Sequence, residues 1–71
     1  MPEGTVVAFD EHRGLGEVEA RAPEDLAGAR YPFHCTRIAD GSRTIEVGAS
    51  VTFVVTPGPL GRWEASAVTR A

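Results

Sequence analysis

The sequence is short of several things at once. It holds no lysine, asparagine or glutamine, a single cysteine, and only three phenylalanines, one tyrosine and one tryptophan in 71 residues. Each shortage excludes something. With Cys35 alone there is no internal disulfide and no cysteine-based zinc site within one chain. Long apolar runs are also missing, so nothing reads as a signal peptide or a membrane span, and the expected compartment is the cytoplasm. Seven arginines against ten acids leave a net charge of −3, which argues against a chain that coats nucleic acid by bulk electrostatics. Stacking is not excluded by that charge, because bases supply their own attraction to an aromatic platform. The missing lysine, asparagine and glutamine, with abundant alanine, fit composition drift in a GC-rich bacterial genome and carry no functional meaning by themselves.

Catalytic signatures are missing too. There is no glycine-rich phosphate loop ending in Lys-Ser/Thr, no GxSxG and no HExxH. His12, His34 and Cys35 do not make a nucleophile and base, since adjacent strand residues such as His34 and Cys35 point to opposite faces. Two histidines, one thiol and scattered acids lack the spacing of a metal site. The chain therefore reads as a non-enzyme with no cofactor and no metal.

What is present is strand after strand. Thr5 to Phe9 and Leu15 to Ala20 are rich in β-branched and apolar residues, joined by a polar corner from Asp10 to Gly14 in which Asp10 suits an Asx turn. Period-two alternation turns Val18 inward and Leu15, Glu17 and Glu19 outward. Arg21 to Arg30 reads as a surface connection with one helical turn, Pro23 suiting its first position and Gly28 its stop. Tyr31 to Ile38 reads as a third strand, confined by Pro32 to a sheet edge, with Phe33 inward. Ala39 to Ser50 is a long connection with an Asp40-Gly41 turn, anchored to the core by Ile45. Val51 to Thr56 and Arg62 to Thr69 are the last strands, separated by a turn at Pro57, Gly58, Pro59 and Gly61. Trp63 reads as an outer side chain shielding a barrel edge, with a relocated stacking platform as the alternative.

Five short strands with no helix beyond about one turn predict a single all-β domain over 1–71, a small five-stranded antiparallel Greek-key barrel of the OB class. The predicted interior holds Val6, Val18, Phe33, Ile38, Val51, Phe53 and Val55.

Two stretches carry a family resemblance. GTVVAFDEHRGLGEV resembles the cold-shock pattern GxVKWFNxxKGFGFI, which includes the first ribonucleoprotein motif, through Gly4, Val6, Phe9, Gly14 and Gly16. YPFHCTRI resembles the second motif, VFVHFSAI, through His34 and Ile38, and DGSRTIEVG is similar to the family's DGFRTLEEG segment. The resemblance implies a diverged cold-shock domain that binds single-stranded RNA or DNA by stacking bases on exposed aromatics, with basic residues along the backbone path. It also shows the platform damaged: Ala8, Leu15, Glu17, Pro32, Cys35 and Ser42 occupy aromatic places, and Phe9 and His34 remain. The implied nucleic-acid-binding residues are Phe9, Arg13, Leu15, His34 and Arg43, with affinity below the family's. The alternative is a degenerate cold-shock domain acting as a protein-interaction or dimerisation module through an apolar face around Ala8, Leu15, Pro32 and Cys35.

Overall fold

The computed structural model describes residues 2–39, 41, 43–58 and 61–71; Asp40, Ser42 and Pro59, singled out above, lie outside them. Five strands form one antiparallel sheet: β1 (Glu3–Asp10), β2 (Leu15–Ala22), β3 (Arg30–His34), β4 (Ser50–Pro57) and β5 (Trp63–Arg70). Their order is β3-β2-β1-β4-β5. The sheet curls until its two edge strands face each other. Among the described residues no ladder joins β3 to β5; a single parallel bridge between Ile38 and Val68, with the Ala39 N–H donating to the Val68 carbonyl at 2.8 Å, closes one end of the seam.

The interior follows the alternation. Val6, Val18, Phe33, Ile38, Val51 and Phe53 are buried as expected, Ile45 anchors the long connection, and Ala20, Ala65 and Val68 join them. Val55 is a correction: near the end of β4, where the barrel opens, it is half-buried against the core's rim.

Three register shifts interrupt the ladders, the first leaving Arg21 as an extra residue in β2, where Glu3 faces Ala22 and Gly4 faces Ala20. Val6 pairs with Val18 and Ala8 with Glu17, so Val7 is an extra residue in β1. An inserted residue reverses the alternation beyond it, so Ala8 turns outward and Phe9 inward. In β5, Thr52 faces Thr69 and Val54 faces Ser66; within that step Ala67 adopts a left-handed φ of 51°.

The third strand is shorter than Tyr31 to Ile38. It stops at His34, and Cys35–Arg37 form a 3-10 turn whose cap is the His34 side chain accepting from the Thr36 N–H. His34 and Cys35 are therefore not on opposite faces of one strand; the Cys35 Sγ lies 3.9 Å from His34 Nδ1. The Arg21 to Arg30 connection holds the expected single turn, Glu24–Leu26, with Pro23 as its extended cap residue and not its first helical position. Leu26 packs on the core, and Gly28, at φ 88°, donates to the Ala20 carbonyl at 2.9 Å, so this segment is fastened to β2.

Candidate nucleic-acid interface

The outward face of β2 and β3 is set by ladder parity. The Cys35 N–H donates to the Gly14 carbonyl at 2.8 Å, which makes the positions two residues further along, Gly16 opposite Phe33, a hydrogen-bonded pair of the same kind. Leu15 opposite His34 and Glu17 opposite Pro32 are then the non-hydrogen-bonded pairs, whose side chains stand closest. Pro32, lacking an N–H, fits this position because its nitrogen points away from β2.

Beneath that face lies an aromatic stack. The Phe9 and Phe33 rings are 6.0 Å apart and 14° from parallel. Gly16 makes room for both: a Cβ there would sit 2.5 Å from Phe33 Cζ and 2.8 Å from Phe9 Cδ1. Phe9 is thus half-buried, supporting the surface more than forming it. Above it, Leu15 is 42% exposed and His34 is exposed. His34 Nδ1 accepts from the Thr36 N–H at 3.5 Å and lies 3.1 Å from the Thr36 hydroxyl.

Charge on this face is partly cancelled. Arg30 reaches Glu17 at 3.5 Å and Glu19 at 3.3 Å, so the acid in the middle of the face is paired. Arg13 sits in the β1–β2 corner, where the Asp10 carboxylate accepts from the His12 and Arg13 N–H groups at 3.0 and 3.3 Å, the expected Asx turn. Arg43 occupies the long connection at φ 60°, and the neighbouring Thr44 hydroxyl donates to Glu11 at 2.8 Å, which ties that connection to the same corner. Arg13, Arg37, Arg43 and Arg62 form no ion pair among the described residues.

Two cavities run along the seam between β3 and β5. One, of about 310 Å³, is lined by Leu15, Pro32, Phe33 and His34, by Arg37 of the turn that follows β3, and by Glu64 of β5. The second, of about 420 Å³, lies among Glu17, Arg30, Tyr31, Arg62 and Trp63, and Pro32 is common to both. The structure thus brings Leu15 and His34 into one cavity, places Phe9 behind its Phe33 wall, and leaves Arg13 and Arg43 at the corner, in neither cavity. Arg37, with Arg13 and Arg43, is a phosphate contact that the resemblance implies, whereas sequence reasoning missed Arg62 and Glu64 as groove residues; an exposed tryptophan directly after a turn was the available signal for the seam. Among the described residues no three His, Cys, Asp or Glu side chains group to hold a metal, and no helix is long and apolar enough to cross a membrane.

No family model matches the sequence, and no curated protein matches it. Among solved structures, Drosophila Unr CSD456 is similar over 99% of this chain, with a TM-score of 0.73 and 27% identity. The chain spans 26% of the length of that solved chain. Together with the strand order, the likeness makes this a small OB-like barrel of cold-shock type.

Proposed function

We propose that the domain binds single-stranded RNA or DNA, with lower affinity than an intact cold-shock platform, on the face of β2 and β3 and the seam beside it. The observation that carries this reading is the pairing of Leu15 with His34 over the Phe9–Phe33 stack, in a cold-shock-type barrel similar to a Unr cold-shock domain. His34 stacks and donates, Leu15 and Pro32 supply apolar contact for base faces, and Phe9 holds the layer below. Arg13 and Arg43 at the corner, with Arg37 along the seam, are the phosphate contacts. Each absent aromatic platform removes about 1–3 kcal/mol, which sets the expected weakness.

A protein-covered apolar face around Ala8, Leu15, Pro32 and Cys35 is the second reading, favoured only by the exposure of Leu15. Against it, the Glu17–Arg30 ion pair lies between Ala8 and Pro32, and Cys35 is half-buried with its Sγ packed toward Gly14. Fluorescence anisotropy with a labelled oligothymidine at low salt tests the proposal, with His34→Ala as the comparison. Micromolar or weaker binding that falls several-fold in the variant supports it. Sub-micromolar binding by the parent contradicts a damaged platform, and no binding at millimolar protein rejects the nucleic-acid reading.

A further inference from the structure

Glu64 is out of place in a groove meant for a polyanion. It lies on β5 opposite Thr56, half-buried, with its carboxylate leaning over Gly58, where a Cβ would collide with it. Among the described residues that carboxylate has no hydrogen bond and no ion pair, although it walls the cavity that also holds Arg37 and His34. An ionised carboxylate at the wall of a recess accepts from N–H donors that enter it. The recess, about 310 Å³, is at the small end of the ~300–1,000 Å³ span of ligand clefts.

Only one base matches this set of groups. Guanine presents two adjacent donors, N1–H and the N2 amino group, on one edge, and two adjacent acceptors, O6 and N7, on the next. An ionised carboxylate accepts two parallel N–H bonds, and a guanidinium donates two to O6 and N7. Adenine and cytosine would turn a ring-nitrogen acceptor toward Glu64, and thymine or uracil would flank its one donor with two carbonyls. Resting on the single-strand reading above, we propose that the seam cavity takes one guanine of a bound strand. Glu64 reads its donor edge, Arg37 its acceptor edge, and Leu15 and Pro32 contact its face. Trp63, 60% exposed in the adjoining cavity across Pro32, is the stacking surface for the next base, with Arg62 beside it for a phosphate.

The test is a set of labelled heptamers, oligothymidine with guanine, inosine or adenine at the centre, measured by anisotropy against the parent, Glu64→Ala and Glu64→Gln. The parent should favour the guanine heptamer over the adenine one by about tenfold, with inosine, which lacks the N2 amino group, between them. Glu64→Ala should abolish that preference while leaving oligothymidine binding equal or tighter, since it removes an acid from the path; Glu64→Gln, matched in shape, should reduce the preference partly. An acid that merely repels phosphate would give the opposite sign, with Glu64→Ala tightening every heptamer alike, and that result overturns the inference. Binding of oligothymidine with no guanine preference overturns it while the single-strand reading stands; no binding of any heptamer rejects that reading itself. Guanosine monophosphate competing as well as the heptamer would assign the cavity to a free nucleotide and overturn the strand assignment.

Discussion

The outward face of β2 and β3 and the seam between β3 and β5 meet at Pro32, and they are built in different ways. The face is a ladder: Leu15, Glu17 and Glu19 alternate along one strand, His34, Pro32 and Arg30 answer them from the next, and each position follows from period two. The seam is made by curvature. It brings Glu64 and Trp63 against Pro32 and His34 without a ladder, at the place where the sheet fails to close. The face presents Leu15, Glu17 and His34, whereas the seam carries the exposed tryptophan and, among the described residues, two arginines and an acid without ion pairs.

The substitution with the largest expected effect removes what both regions share. Phe33 is buried, supports Phe9 under the face and walls the seam cavity. Phe33→Ala should lose about 3–5 kcal/mol in urea unfolding, most of the stability of a domain this small. An unchanged midpoint would mean that the two regions do not rest on one core.

Restoring the face comes next. Leu15→Phe with Glu17→Phe places two stacking surfaces side by side, removes one acid and releases Arg30 from its pair with Glu17. Oligothymidine affinity should rise by about 2–4 kcal/mol if the stacks are partly independent. Adding Arg13→Ala to that background should lower affinity and flatten the salt dependence. If the restored variant still does not bind, the face serves something other than bases.

Trp63→Ala probes the seam by itself. With the ring 60% exposed, stability should change by about 0.5 kcal/mol or less, while single-strand affinity falls by about 1–3 kcal/mol. Equal affinity in the two proteins would leave the face as the whole interface. The smallest effect is expected from Ala67→Gly, outside both regions. A left-handed alanine costs about 1–2 kcal/mol and glycine's extra chain entropy returns about 0.5–1, so chemical denaturation should show a slight gain, and binding should not move.

Legibility followed the same division. Strand order along the chain, the buried side of each strand and the Asx corner at Asp10 were readable because each depends on local chemistry or on alternation. Phe9 shows where alternation alone stops: the bulge at Val7 leaves no mark that a hydrophobic pattern reveals, yet it decides whether that ring faces base or core. The end of β3 was hidden for a related reason. Cys35, Thr36 and Arg37 look extended by composition, but His34 caps a turn there and Ile38 is drawn to Val68. Arg30 pairing with Glu17 and Glu19 depends on the β2–β3 register, and the approach of Glu64 to His34 and Arg37 depends on how far the sheet curls. Neither is written in any single stretch of sequence.

An open seam exposes a strand edge, and an exposed edge is normally an invitation to stack with another copy of the same chain. Pro32 withdraws it. Its ring stands where the middle of β3 would otherwise point an N–H away from β2, and β3 ends two residues later in the turn at Cys35–Arg37. A foreign strand arriving at this edge finds five residues with their central donor missing. With the central donor gone and the strand this short, the edge is a poor template for a growing sheet, which guards an open margin against aggregation.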